Sequence, residues 1–145
     1  MTATQMQIAM LRAVNDQFNA IPYDAIPKAG EAPNTWKVTP DGGTFECRDY
    51  TIAKKDALAA QGWTPDMSVV ICWTEPVAQL GGGPDARERH AVLACNATDQ
   101  IFILDNRTPD IYLWNEPVYP YVWEGQQIAG TDEFRPVGDT GLSFA

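Results

Sequence analysis

Cys47 is the residue whose type and position could make it a nucleophile. It follows a polar turn that contains Gly42 and Gly43, and it stands at the first turn of a segment that reads as a helix. A helix N-terminus carries unpaired backbone N–H groups and the positive end of the dipole, and both favour a thiolate over a thiol. Arg48 adds to this effect, whereas Glu46 opposes it. The alternative interpretation is a small, buried and unreactive cysteine.

A predicted hairpin carries two further groups that could do acid–base chemistry. Its strands are Arg89–Cys95 and Ile101–Asp105, and Asn96–Asp99 joins them. A four-residue connection rich in turn-forming residues is typical of a hairpin. The only histidine of the chain, His90, lies on the first strand, and Asp105 ends the second.

The register of this hairpin decides whether His90 and Asp105 meet. If it closes with Cys95 opposite Gln100, His90 faces Asp105, and directly opposed side chains have Cβ atoms about 5 Å apart. Such a carboxylate orients the imidazole and stabilises the imidazolium, so that the other ring nitrogen can serve a nucleophile. A shift of one residue would put the two side chains on opposite faces. The alternative is a purely structural cross-strand pair.

Cys47, His90 and Asp105 therefore occur in the order of a Cys-His-Asp constellation. They converge only if the helix packs on the sheet with its N-terminus near His90, which is a hypothesis at this point. The backbone N–H of Cys47 would then be an oxyanion donor. The sequence identifies neither a second donor nor any substrate-binding residue.

The other elements follow from hydrophobic periodicity and from the positions of glycine and proline. Two helices are predicted, at 5–19 and at 46–61, and Gly62 would end the second one. A buried strand is expected at Met67–Trp73. Long loops are predicted at 22–45 and 75–88, and the aromatic tail after residue 106 is expected to pack as irregular edge strands.

Length and charge restrict the classes of function. The 145 residues suit a single domain over 1–145, and the net charge of -9 argues against nucleic acid and anionic membranes as partners. No stretch reaches the roughly 18 apolar residues of a membrane span. The N-terminus has no basic and apolar signal-peptide pattern, so a cytoplasmic location is expected.

Cysteine usage argues against a metal centre. Cys72 and Cys95 lie in apolar runs and are expected in the core. The chain has no C-x-x-C pair and a single histidine, so no zinc site, no other metal and no cofactor is predicted.

Five ordered blocks resemble the bacterial transglutaminase-like cysteine peptidases, which have a papain-like transglutaminase fold. The blocks are Val14–Asn19 with Ile21–Tyr23, Trp36–Pro40, Glu46–Lys54, His90–Ala94 and Ile103–Asn106. Glu46–Lys54 is similar to the family motif G-D-C-E-D-Y-A-x-x-K. The resemblance implies an α+β fold in which the helix carrying the nucleophile packs on an antiparallel sheet. It also implies the catalytic triad Cys47, His90 and Asp105.

Two positions depart from the family pattern. The family usually has Asp before the cysteine and Glu after it, where this chain has Glu46 and Arg48. In the calcium-dependent periplasmic members those acidic residues help to bind calcium, which needs several oxygen ligands. We therefore expect no such calcium site here. The absence of a signal peptide is a further departure, and it would suit a cytosolic relative or a phage protein located in a virion.

Three functions remain open on the sequence. The first is a cysteine hydrolase that cleaves a peptide or amide bond of a protein or peptide substrate through a thioester acyl-enzyme. The second is transglutaminase-type acyl transfer, in which an amine resolves the same intermediate. The third is a non-catalytic binding or structural module on this scaffold. Neither the substrate nor the oligomeric state follows from the sequence.

Overall fold

The computed structural model describes residues 4–21, 47–63, 66–76, 87–116, 121–128, 131–138 and 141–144. Its elements, in chain order, are α1 (Gln5–Asn19), α2 (Cys47–Ala60), β1 (Met67–Pro76), β2 (Arg87–Ala97), β3 (Gln100–Leu104), β4 (Tyr112–Leu113), β5 (Val122–Gln127) and β6 (Phe134–Pro136). The strands form one sheet in the order β4-β3-β2-β1-β5-β6, and every neighbouring pair is antiparallel.

Helix α1 begins at a capping box, and its bounds confirm the predicted helix at 5–19. The Thr4 side chain accepts a hydrogen bond from the backbone N–H of Gln7, and the Gln7 side chain accepts one from the backbone N–H of Thr4. Leu11, Val14 and Asn15 are buried. Their three- and four-residue spacing places them on one face, which packs towards the rest of the protein.

Helix α2 confirms the second predicted helix, and it ends at a glycine as expected. Gly62 has a φ of +88°, a conformation that suits glycine. Its N–H donates to the carbonyl of Ala59, and the N–H of Trp63 donates to the carbonyl of Leu58 at 2.9 Å. These two bonds satisfy carbonyls that the helix end would otherwise leave unpaired.

The sheet has one buried cluster on each face. The helix-side core combines α1 and α2 with one face of β2 and β3, and includes Leu11, Val14, Leu58, Trp63, Leu93, Cys95, Phe102 and Leu104. The far-side core lies on the opposite face and includes Val70, Cys72, Val92, Ala94, Ile103, Tyr112, Tyr121, Val137 and Leu142. Alternate residues of a strand point to opposite faces, which explains how β2 supplies both clusters. The predicted α+β fold is confirmed.

The predicted register of the β2–β3 hairpin is wrong by two residues. Cys95 pairs with Phe102 rather than with Gln100, and Ala97 pairs with Gln100. Thr98 and Asp99 form a two-residue turn with φ values of +48° and +49°, which is the turn type that matches the twist of a hairpin. Because the side-chain period of a strand is two, a two-residue shift leaves every side chain on its predicted face.

The prediction of edge strands after residue 106 is wrong for β5. This strand pairs with β1 and with β6, so it lies inside the sheet. Its buried Gln126 is compatible with an interior position because the side chain donates to Ser68 Oγ and to the Ser143 carbonyl, both at 2.9 Å.

The structure tests the two predicted long loops to different extents. The predicted loop at 22–45 lies outside the described residues. The predicted loop at 75–88 overlaps the sheet at both ends, because β1 continues to Pro76 and β2 begins at Arg87. Residues 77–86 lie outside the described residues. Among the described helices, none is both long and apolar enough to cross a membrane.

Candidate active site

The structure brings His90 and Asp105 into direct contact. His90 lies near the start of β2 and Asp105 directly follows β3, and His90 Nε2 is 2.7 Å from Asp105 Oδ1. The corrected register makes these residues diagonal neighbours rather than directly opposed ones, a separation that long side chains can span. Both side chains are buried, His90 at 6% exposure and Asp105 at 0%.

Four donors surround the Asp105 carboxylate. Oδ1 accepts from His90 Nε2 and, at 2.9 Å, from the backbone N–H of Arg107. Oδ2 accepts from the hydroxyls of Tyr112 at 3.0 Å and Tyr121 at 2.7 Å. A carboxylate has about four lone-pair positions, so these bonds fill its accepting capacity.

The hydrogen bonds outweigh burial in setting the charge of Asp105. Burial alone would raise the pKa of this carboxyl, but the hydrogen bond and charge of His90, the Tyr121 hydroxyl and the Arg107 N–H together lower its pKa to about 2. Burial, and then the charge of Asp105, raise the pKa of Tyr112 and of Tyr121. Asp105 is therefore an anion at neutral pH, and both phenols keep their protons.

An ionised Asp105 determines the role of each ring nitrogen of His90. The carboxylate can only accept, so Nε2 carries the proton of the 2.7 Å hydrogen bond. In the neutral imidazole, Nδ1 is then the basic nitrogen. A nucleophile that His90 activates would have to approach Nδ1.

The turn that carries Asp105 is tied to both helices. Asn19 Nδ2 donates to the backbone carbonyls of Asp105 and Thr108, at 3.1 and 3.0 Å. Lys54 Nζ donates to Asn19 Oδ1 at 2.7 Å and to Asn15 Oδ1 at 2.8 Å. Burial lowers the pKa of Lys54 to about 7, although the charge of Asp105 acts in the opposite direction.

Cys47 is the first residue of α2, and its side chain lies outside the described part of the structure. The helix itself packs on β2 as expected, since Thr51 Oγ1 donates to the Ala91 carbonyl at 3.2 Å. Convergence of the Cys47 thiol with His90 stays a prediction. The two cysteines that were predicted to lie in the core, Cys72 and Cys95, are both buried at 0% exposure. Burial raises the pKa of the Cys95 thiol, which makes it unreactive.

Several residues around the pair were not recognised from the sequence. Tyr112 and Tyr121 were visible only as members of an aromatic tail, and their order along the chain does not show that they meet at one carboxylate. Asn19 and Lys54 belong to blocks of the family resemblance, but no local pattern connects them to Asp105.

No group of three or more His, Cys, Asp or Glu side chains that could hold a metal ion occurs among the described residues. The side chains of Glu46 and Arg48 lie outside that part of the chain. The guanidinium of Arg48 has no lone pair to offer a cation, so the donor set at these positions does not fit calcium. The expected absence of a calcium site stays a prediction.

Comparison with known proteins connects this geometry to a family. The model of the bacterial transglutaminase-like cysteine proteinases matches residues 1–132. No curated protein matches the chain.

The chain is also similar to solved structures of LapG from Legionella pneumophila. Calcium-bound LapG has 24% sequence identity and a TM-score of 0.60 over 83% of this chain and 65% of the LapG chain. A second LapG structure has 25% identity and a TM-score of 0.58 over 83% and 63%. EGTA-treated LapG has 24% identity and a TM-score of 0.55 over 88% and 70%. The chain thus spans slightly less than two thirds of the first two LapG chains, and the likeness supports the same fold.

Proposed function

Because this chain belongs to the bacterial transglutaminase-like cysteine proteinase family, we propose that it is a cysteine peptidase that uses Cys47, His90 and Asp105. The observation that carries the proposal is the buried hydrogen bond of 2.7 Å between His90 Nε2 and Asp105 Oδ1. In the proposed roles, Cys47 is the nucleophile, His90 transfers the proton, and Asp105 orients the imidazole and stabilises its charged form.

The proposed reaction proceeds through a thioester. Sγ of Cys47 attacks the carbonyl carbon of the scissile bond while its proton passes to Nδ1 of His90. The imidazolium gives this proton to the leaving amine as the C–N bond breaks. Water then attacks the thioester and gives a proton to Nδ1, and the C–S bond breaks as that proton returns to sulfur. Backbone N–H groups in the first turn of α2 would stabilise the oxyanion.

The direction of α2 along β2 supports this assignment. Thr51 bonds to Ala91, and Leu58, further along the helix, lies in the same buried cluster as Cys95 and Ala97. The helix therefore runs in the same direction as β2, and its first turn is directed towards the end of β2 that carries His90. Cys47 precedes Thr51 by four residues, which places both on one side of the helix.

The proposal also requires a particular position of the Cys47 thiol relative to the sheet. His90 lies on the same face of β2 as Val92 and Ala94, which belong to the far-side core. The body of α2 packs on the other face. The thiol must therefore meet Nδ1 at the end of the sheet, where β2 begins.

Substitution of Cys47 tests the proposal directly. We expect Cys47→Ala to abolish cleavage of a panel of unfolded protein substrates and to abolish alkylation by iodoacetamide at neutral pH. Cys95→Ala is the matched control, since this thiol is buried and its raised pKa leaves it protonated. Intact-mass and peptide mass spectrometry identify the alkylated residue. Cleavage that persists in Cys47→Ala would remove Cys47 from the mechanism.

The same assay separates the other two functions predicted from the sequence. Incorporation of a fluorescent primary amine into the substrate, in place of release into water, would indicate acyl transfer. A folded protein in which Cys47 reacts with neither substrate nor iodoacetamide would indicate a non-catalytic module. The peptidase assignment implies a protein substrate. The absence of nucleic-acid and membrane partners and the cytoplasmic location stay predictions.

A further inference from the structure

Tyr121 contacts three members of the candidate site at once. Its hydroxyl donates to Asp105 Oδ2 at 2.7 Å and accepts from Arg107 Nη1 at 3.4 Å. Its ring centroid lies 5.6 Å from that of His90, with the planes inclined at 48°. The guanidinium carbon of Arg107 lies 5.6 Å from the same ring. Tyr121 is buried at 8% exposure, so these contacts are shielded from water.

These contacts restrain both partners of the His–Asp pair. A carboxylate whose four lone-pair positions are filled cannot rotate about its Cβ–Cγ bond without breaking hydrogen bonds on both oxygens. Tyr112 also bonds to Oδ2 through its hydroxyl, at 3.0 Å. Tyr121 restrains the carboxylate through its hydroxyl and the imidazole through its ring.

We propose that Tyr121 is a positioning residue that fixes the orientation of His90 relative to the nucleophile, acting through Asp105. The catalytic part of this inference rests on the proposed function. Arg107 assists because its guanidinium donates to the Tyr121 oxygen and its backbone N–H donates to Oδ1. Arg107 therefore acts on both carboxylate oxygens: its backbone N–H bonds to Oδ1 directly, and its guanidinium orients the Tyr121 hydroxyl that bonds to Oδ2.

Tyr121→Phe removes the hydroxyl and keeps the ring. We expect kcat to fall about tenfold to a hundredfold, as for loss of a hydrogen bond to a charged group, with KM changed by less than about twofold. The chain has one histidine, so ¹⁵N NMR reports the tautomer of His90 without overlap. In the wild type we expect the Nε2–H tautomer alone, and in Tyr121→Phe a mixture of both tautomers.

Tyr50→Phe is the matched control. Its buried hydroxyl donates to the backbone carbonyl of Ile21 and not to Asp105. A merely structural role of Tyr121 would lower the unfolding temperature as Tyr50→Phe does and leave the tautomer of His90 unchanged. That result, or an unchanged kcat, would overturn the proposal.

Arg107→Gln keeps the test decisive if Tyr121→Phe does not fold. It removes the guanidinium donor to Tyr121 and retains the backbone N–H, so we expect a smaller loss of kcat in the same direction. An Arg107→Gln protein with wild-type kcat and a single tautomer would overturn the proposal. A wild-type protein without peptidase activity would instead show that the proposed function fails, which is a distinguishable result.

Discussion

Asp105 is a fully buried residue that nevertheless carries a charge. Burial disfavours a carboxylate by several kcal/mol unless hydrogen bonds replace the lost water. Here a ring N–H, a backbone N–H and two hydroxyls provide that replacement. The site consequently holds a fixed negative charge next to the imidazole, which is the requirement for stabilising an imidazolium during catalysis.

Asp105→Asn removes this charge with little change in shape. We expect kcat/KM to fall roughly 10²- to 10⁴-fold, because the amide cannot stabilise the imidazolium. The pKa of His90 should fall as well, since the nearby anion is lost. NMR titration of the single histidine measures the second effect. Asp110→Asn is the control, because Asp110 forms an exposed ion pair with Arg12 at 2.9 Å. Wild-type kcat/KM in Asp105→Asn would contradict the role of the carboxylate.

The sequence could predict the His90–Asp105 contact only in part. Strand periodicity predicts both residues on one face of the sheet. This prediction is correct although the predicted register is wrong, because a shift of two residues keeps each side chain on its face. The donors Tyr112 and Tyr121 were not predictable. They reach Asp105 from β4 and from the residue before β5, and their meeting depends on the pairing of the whole sheet.

At the scale of elements, Gly62 and Gly141 both have positive φ values, which other residues rarely adopt, but their surroundings differ. Gly62, after α2, has a φ of +88°, and a Cβ placed on it would meet no atom within 4 Å. Gly141 has a φ of +75°, and a Cβ placed there would overlap the indole ring of Trp114, lying 2.8 Å from Cζ3. Gly141 therefore has a packing constraint in addition to the backbone constraint.

Alanine substitutions separate these two constraints. Gly62→Ala should lower the free energy of unfolding by about 1 kcal/mol, the cost of a left-handed conformation. Gly141→Ala should cost about 1–3 kcal/mol more, because Trp114 must move. Urea unfolding of both variants measures the difference. Equal losses would show that the chain near Gly141 moves away from Trp114 without cost.

The elements whose sequences have a clear hydrophobic pattern were predicted correctly, whereas β5 was not predicted as an interior strand. Helices α1 and α2 and strands β1 to β3 follow from helical spacing or β-branched runs. The sequence of β5, Val122–Gln127, has no such pattern and includes two glutamines and a glycine. Its place in the sheet is defined by its pairing with β1 and β6 and by the side-chain bonds of Gln126 to residues 68 and 143, which are contacts that only the folded chain forms.

At the scale of the whole molecule, Lys54 joins the two helices and, through Asn19, the turn that carries Asp105. Its exposure is 1%, and burial lowers its pKa from 10.5 to about 7. Between these two values the unfolded chain binds more protons than the folded chain. The free energy of unfolding should therefore rise with pH above about 7. Above about pH 9 the raised pKa of the Cys95 thiol acts in the opposite direction, since the unfolded thiol ionises there first.

Lys54→Met should remove this rise. In the wild type Lys54 contributes up to about 1.4 kcal/mol per pH unit between pH 7 and 9, and the difference between the two proteins isolates that contribution from other titrating groups. Urea unfolding at pH 6, 7, 8 and 9 measures it. Lys55→Met is the control, as it makes the same change at the adjacent, half-buried position. Parallel pH profiles of wild type and Lys54→Met would contradict the prediction.

The pairing of β5 with β1 joins segments that are far apart in the chain, whereas β2 and β3 form a local hairpin. Local hairpins form readily, and contacts between distant segments form late. A nascent chain can therefore bring His90 to Asp105 before residue 121 has left the ribosome. Tyr121 reaches Asp105 only once β5 has paired with β1, so the hydrogen bonds on Oδ2 of Asp105 would be completed after the hairpin that carries His90 has formed.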